Sequence, residues 1–345
     1  MAFPLEPPLE PMLAKLSSEI PEGDGWLYEP KWDGFRAIVF RDGRDLHIGS
    51  RKTQPLERYF PEVVETLLEC IPRRSVVDGE IVIVSKDGLD FDALLQRIHP
   101  AESRIRMLAE TTPASFIAFD LLALSSDIRQ SPLDKRRKKL VASIKTADRC
   151  LVTPQSHDVE DAKRWFEEFE GAGLDGIVAK RIEQPYAHGE RVMLKIKHKR
   201  TADCVVGGYR LSKDGTGVGS LLLGLYNSGV LHFVGHTSSF KADERKKLLQ
   251  ELKPLEQGDS FGRGRTPGGP SRWSAGQNKS WVALRPELVC EVAFDHLQGA
   301  RFRHGTRLLR WRPDKSPRDC DFEQLIPPRP FSIDEIRRLA STSQG

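Results

Sequence analysis

The texture of the chain changes near Ala202, and that change predicts two folding units rather than one. Upstream, strand and helix signals alternate. Leu27–Glu29, Phe35–Phe40 and Asp45–Ile48 read as short strands, the last two joined at an Asp42-Gly43 turn. A helix is predicted at Pro61–Cys70, with Val63, Val64, Leu67 and Leu68 on one face. Next come a β-rich run Ser75–Val84, a turn at Lys86-Asp87-Gly88, a short helix near Phe91–Ile98 and a strand Phe116–Leu122. Ser131 is expected to cap a helix that Pro132 and Asp134 open. A further helix, Val159–Glu170, stops at Gly171 and Gly173, and strands follow at Gly176–Lys180 and Val192–Lys197.

Downstream, strands dominate: Cys204–Tyr209, Ser220–Tyr226, Val230–Gly235, Leu288–Phe294 and Arg307–Trp311, with one helix at Ala242–Leu252 and a loop rich in Gly, Ser and Pro over 257–280. That run predicts a small β-barrel carrying one helix. The expected domains are 1–200, 201–327 and a peripheral tail, 328–345, with a hinge near residue 200. The proline-rich N-terminus reads as an extended strap.

Composition narrows the class. The chain has 345 residues, 39% hydrophobic and 30% charged, and no apolar run long enough to span a bilayer, so a soluble enzyme without a membrane partner is expected. The N-terminus lacks the basic and apolar regions of a signal peptide. Five dispersed cysteines with no CxxC argue against a disulfide framework or a zinc site and for a reducing cytoplasm. Basic clusters at Lys135–Lys139, Lys195–Arg200 and Arg301–Arg312 could meet phosphates. For the first of them, KRRKK, a solvated helix face is the plainer reading.

The chemistry is expected at Glu29-Pro30-Lys31-Trp32-Asp33-Gly34-Phe35-Arg36. A lysine in a turn between strands can present its amine to a cleft, and Asp33-Gly34 is expected to form that turn. To attack phosphorus the amine must lose its proton. Burial and a neighbouring cation such as Arg36 are expected to lower its pKa.

KWDGFR resembles the nucleophile motif of the covalent nucleotidyltransferases, which comprise DNA ligases, RNA ligases and mRNA capping enzymes. The remaining motifs of that superfamily follow in order: Ser50-Arg51, Asp78-Gly79-Glu80, Phe119-Asp120-Leu121-Leu122, Asp175-Gly176-Ile177-Val178-Ala179-Lys180, Lys195-Ile196-Lys197 and Arg312-Pro313-Asp314-Lys315. The resemblance covers residues 8–325 and looks nearest to small bacterial ATP-dependent DNA ligases and the ligase module of bacterial end-joining enzymes.

It implies an α+β nucleotidyltransferase (adenylation) domain of antiparallel sheets with helices, followed by an OB-fold barrel. It implies AMP carried on Lys31, with ATP held by Glu29, Arg36, Arg51, Glu80, Phe119, Lys180, Lys195 and Lys197. Glu29 would receive the adenine amino group. Phe119 would stack on the base, although the strand alone suggests plain core. Glu80 and Asp175 would hold Mg²⁺ or Mn²⁺, and Lys195 and Lys197 would face the α-phosphate. Arg312, Asp314 and Lys315 would orient the departing pyrophosphate. Arg51, Arg301, Arg303 and Arg310 would grip DNA, the last three from strands with arginines on one face and a packed ring on the other.

Two residues depart from the pattern: Asp175 stands where glutamate is usual, and Met193 where an aromatic is usual. The expected partner is nicked duplex DNA, joined with the help of other DNA-repair proteins by a monomer at the bacterial nucleoid. Partial encirclement of DNA and a repair role follow from the short N-terminus. A capping enzyme, an RNA ligase or an idle DNA-binding scaffold are the alternatives; the RxDK ending and the FDLL motif favour the DNA ligase. The Gly-rich segment Lys213–Gly219 lacks Walker spacing and reads as a turn, and the histidines carry no ligand spacing.

Overall fold

The computed structural model describes residues 3–85, 88–262, 267, 280–295, 297–326 and 338. The chain divides into two compact units, one running up to His198 and the other spanning Lys199–Ile326. The expected 328–345 tail lies outside the described residues apart from Arg338, as do Lys86, Asp87 and much of the 257–280 loop.

In chain order the first unit contains β1 (Leu13–Ser17), β2 (Trp26–Pro30), β3 (Phe35–Asp42), β4 (Asp45–Ser50), α1 (Pro61–Cys70), β5 (Arg74–Ser85), β6 (Gly88–Leu89), α2 (Phe91–Gln96) and α3 (Glu102–Thr111). It continues with β7 (Ala114–Leu124), β8 (Ser126–Asp127), α4 (Leu133–Ser143), β9 (Cys150–Val152), α5 (Val159–Glu168), β10 (Ile177–Arg181) and β11 (Arg191–Ile196). One sheet has the order β1-β11-β10-β2, the other β4-β3-β5-β7-β8 with β6 and β9 on its flanks. Most pairings are antiparallel, but β1 runs parallel to β11 and β9 parallel to β7. The N-terminal strap therefore ends in a sheet strand.

The sheets meet face to face. Met193 from one, with Met12 just before β1, packs against Ile38, Phe40 and Leu122 from the other, so Met193 fills the core as an apolar side chain. Tyr28, Ile177 and Ile196 meet Val82, Ile117 and the α5 residue Trp165. α1 covers the outer face of the second sheet with Val63 and Leu67.

Local signals differ from expectation in three places. α4 is capped at Pro132 with no side-chain hydrogen bond, and Ser131 instead offers its carbonyl to Arg136. α3 was not expected, because only Ile105 of its ten residues is buried and no apolar stripe marks it. α5 stops at Glu168, followed by a tight 3-10 turn that Gly173 ends at φ 81°.

The second unit contains β12 (Arg200–Leu211), β13 (Val218–Asn227), β14 (Val230–Thr237), α6 (Ala242–Leu252), β15 (Val282–Ala283), β16 (Val289–Phe294), β17 (Leu297–Gln298), β18 (Arg301–Phe302) and β19 (Arg307–Trp311). Its main sheet has the order β14-β13-β12-β16-β19, with β15 beside β12 and a separate β17-β18 hairpin. Leu221, Leu223, Val234, Val292 and Phe302 lie in its core, and Leu248 and Leu252 of α6 pack against them. This is the OB-fold barrel.

Candidate active site

Lys31 follows the last residue of β2, and two backbone bonds fix it. Its N–H donates to Gly176 (2.8 Å), and its carbonyl accepts from Asp175 N–H (3.1 Å). The turn that presents the lysine therefore leans on the segment that presents Asp175, about 145 residues away along the chain. The amine lies 2.8 Å from Asp175 Oδ2, and Lys197 Nζ reaches the same oxygen at 2.7 Å.

The three motif glycines act by closeness. A Cβ on Gly34 would stand 2.2 Å from the Ile81 carbonyl oxygen, and one on Gly79 would stand 2.3 Å from the Phe116 ring. Gly176 combines a φ of +123° with a position 2.0 Å from the Ile196 carbonyl oxygen. Gly34 has no positive φ, and its lack of a side chain in this turn serves the close approach of the turn to β5.

The expected lowering of the Lys31 pKa is not what the geometry gives. Burial presses it down, but Asp175, with Asp33 and Glu80 behind it, outweighs burial and holds the amine above its ordinary value. Arg36 is engaged elsewhere. It is locked on Asp78 by two bonds of 2.6 Å and donates to the Met12 carbonyl at 3.2 Å. Glu80 is pushed up to about 7, chiefly by burial and against the pull of Arg36 and Lys31. Lys195 is pressed down by burial and then by Lys197, Lys31 and Arg51, which places it in the field of all three cations. Arg51 itself sits exposed in the turn after β4.

Beside this cluster lies a second group. Glu29 is buried; its Oε2 takes the Lys180 ammonium at 2.6 Å, and its Oε1 has no hydrogen-bond partner, with Arg137 Nη1 3.8 Å away. The Phe119 ring is only 8% exposed, with the Arg36 guanidinium 4.4 Å and the Lys180 ammonium 4.7 Å from its centroid. An aromatic surface set between cations and beside an unfilled acceptor suits a planar base that carries an amino group.

Several residues that build this site escaped the sequence reading. Arg136 and Arg137, from the KRRKK run, are buried. Arg136 grips both oxygens of Asp120 at 2.8 and 2.9 Å, and Arg137 donates to the carbonyls of Phe119 and Thr153. With Leu133 and Leu140 they occupy i, i+3, i+4 and i+7, an inward helix stripe, and that spacing was the available signal. Tyr186 accepts from Met12 N–H (2.9 Å) and donates to Asp78 (2.6 Å), tying β1 to the Arg36–Asp78 pair. Trp32 Nε1 donates to Thr153 Oγ1 at 2.8 Å.

In the barrel, Arg312 donates to Asp314 through Nε and Nη2 and to Asp203 through Nη1, and Lys315 donates to Asp203 at 3.0 Å. Asp203 was not singled out in the sequence. The expected alternation of cation and packed ring holds at β18, where Phe302 is buried and Arg301 lies over Phe233 at 4.4 Å. It fails at β19, an edge strand on which Trp311 is 37% exposed, while Arg310 turns to Glu291 at 2.6 Å. Arg303 follows directly after β18.

A two-sheet fold that sets a turn lysine against an acidic residue and a second lysine, followed by an OB barrel, defines a covalent nucleotidyltransferase. The family model "ATP dependent DNA ligase domain" matches residues 11–197, and "ATP dependent DNA ligase C terminal region" matches 214–315. The chain belongs to the ATP-dependent DNA ligases. DNA ligase C of Mycobacterium tuberculosis is 51% identical, over 97% of this chain and 99% of that protein. The multifunctional non-homologous end joining protein LigD of Mycolicibacterium smegmatis is 28% identical over 86% of this chain and 37% of its own length. Among solved structures, a Lig E DNA ligase shares the fold with TM-score 0.52 at 18% identity, covering 88% of this chain and 99% of that one.

Proposed function

We propose that this ligase, using ATP, seals nicks between a 3′-hydroxyl and a 5′-phosphate in duplex DNA through lysyl-AMP on Lys31. The observation that carries this reading is the meeting of Lys31, Asp175 and Lys197 within 2.8 Å contacts, beside the unfilled Glu29 acceptor. In step one the Lys31 amine attacks the α-phosphorus, the bond to pyrophosphate breaks, and a phosphoramide forms. Lys31 must first shed the proton that Asp175 favours, so nucleotide entry has to loosen that ion pair. Lys195 and Lys197 neutralise charge growing on the α-phosphate; Arg312, Asp314 and Lys315 attend the leaving pyrophosphate. In step two a 5′-phosphate oxygen attacks the AMP phosphorus and frees Lys31. In step three the 3′-hydroxyl displaces AMP and the strand is closed.

Base recognition falls to Glu29, Lys180 and Phe119, with Arg36 supporting the ring. Arg51, Arg301, Arg303 and Arg310 meet the DNA backbone. A divalent ion fits the residues present. Among the described residues no trio of His, Cys, Asp or Glu forms a cage, whereas Mg²⁺ or Mn²⁺ needs only one or two carboxylates plus nucleotide phosphates. Glu80, whose carboxyl desolvation pushes up against the pull of Arg36 and Lys31, and Asp175 would hold it, and it would supply Lewis-acid charge at the phosphates.

No helix among the described residues is long and apolar enough to cross a membrane. We place the protein as a monomer in the bacterial cytoplasm, at the nucleoid, in DNA repair with other repair proteins; the end-joining relative supports that setting. The test is sealing of a singly nicked, 5′-phosphorylated duplex with ATP and Mg²⁺ or Mn²⁺. Joined product from the native chain and none from Lys31→Ala is expected. Failure of the native chain to yield either product or AMP–DNA would overturn the reading.

A further inference from the structure

We infer that Asp203 is a positioning residue for the last motif, setting Arg312 and Lys315 for pyrophosphate departure. The inference rests on the proposed role of those two cations. Asp203 lies on β12, more than a hundred positions in sequence before Arg312. Its carboxylate nevertheless holds both cations: Arg312 Nη1 donates to Oδ1 at 2.9 Å and to Oδ2 at 3.0 Å, and Lys315 Nζ donates to Oδ2 at 3.0 Å.

The two carboxylates that share Arg312 are not alike. Asp314 is 61% exposed and lies in the same turn as the arginine, so it can swing away without disturbing a strand. Asp203 is 13% exposed and anchored. Its N–H donates to Gln324 Oε1 at 2.8 Å, its carbonyl accepts from Gln324 Nε2 at 3.2 Å, and its Cα is in register with Glu291 of β16. Arg312 N–H in turn donates to the Val289 carbonyl of β16 at 2.8 Å, and Lys315 N–H closes the turn on the Arg312 carbonyl at 3.2 Å. Asp203 thus forms the fixed wall of the group and Asp314 its exchangeable one. A guanidinium held edge-on by a rigid carboxylate keeps its remaining donors aimed without further ordering when a polyphosphate arrives.

The experiment separates the steps. Lysyl-AMP formation is measured with labelled ATP, and sealing is measured on a nick whose 5′-phosphate already carries AMP. The expected result for Asp203→Asn is lysyl-AMP formation slowed about 10-fold or more, because the aimed cations lose their wall, with sealing of the AMP-carrying nick near the native rate. In an Arg312→Ala background the same substitution is expected to add only the smaller loss that Lys315 carries. Asp203→Glu keeps the charge and moves it by one methylene, so it tests position even if the Asn variant unfolds the barrel; the same step-specific loss is expected. Equal slowing of both steps, or full additivity with Arg312→Ala, overturns the inference. Native lysyl-AMP formation in Asp203→Asn beside a slow Arg312→Ala overturns it alone, whereas native lysyl-AMP formation in Arg312→Ala overturns the underlying reading of the motif as well.

Discussion

Gly176→Ala is the substitution whose effect the site geometry defines most sharply. The backbone there has φ +123°, and the added Cβ would sit 2.0 Å from the Ile196 carbonyl oxygen and 3.1 Å from the Lys197 Cα. Neither obstacle is a side chain that can rotate aside. Backbone strain in that region costs about 1–3 kcal/mol, and forcing atoms into a filled space costs a similar ~1–3 kcal/mol. Combined, these lower the unfolding midpoint of the first unit by on the order of 10 °C. Relief of the clash requires β11 and the Gly176 segment to part by about 1 Å, a misplacement that can cost on the order of 100-fold in rate. The parting strand carries Lys195 and leads into Lys197, while the other side carries Asp175 and the carbonyl that anchors Lys31. The expected outcome is lysyl-AMP formation about 100-fold slower even well below the midpoint. Gly43→Ala is the comparator: φ is +64° with nothing within 4 Å, so it carries about 1–2 kcal/mol of strain and a native rate. A Gly176→Ala protein that melts early yet forms lysyl-AMP at the native rate would refute the idea that this contact sets the lysines.

Three further outcomes follow from the polar groups around the site. Arg136→Met strands the Asp120 carboxylate in the core and is expected to cost about 3–5 kcal/mol in urea unfolding, partly restored by adding Asp120→Asn; a loss under about 1 kcal/mol would contradict the burial argument. Tyr186→Phe leaves Met12 N–H without its acceptor, so a loss of about 1–3 kcal/mol and a raised KM for ATP with little change in kcat are expected, checked by steady-state kinetics. Lys195→Met should abolish sealing yet raise stability by about 1 kcal/mol. Because Lys195 is pressed below its ordinary value, the unfolded chain binds more protons. Native stability should therefore gain on the variant as pH rises toward the lysine range, and thermal unfolding at several pH values checks this.

The sequence shows best what is local. KWDGFR, DGE and KIK each occupy a few consecutive residues, and short-range spacing is what a reader of sequence can weigh. The change of texture near Ala202 was equally visible, because strand period and helix period differ over any ten residues. The short parallel strands β1 and β9 were not, since their partners lie far along the chain: Leu13 pairs with Arg191, and Cys150 with Phe116. Nothing local marks a five-residue strap as a sheet strand.

Charge was the least legible property, and for a physical reason. A basic run resembles a solvated face because an isolated cation belongs in water. KRRKK violates that expectation only because Asp120, Gln155 and several carbonyls await Arg136 and Arg137 inside. The same blindness inverted the expectation for Lys31. Its neighbour in sequence, Arg36, is spent on Asp78, whereas its neighbour in space, Asp175, holds the proton on. The motif that names the nucleophile thus says nothing of its resting protonation state. That state is set by a carboxylate whose placement depends on one glycine, Gly176, being able to lie against the strand of the paired lysines.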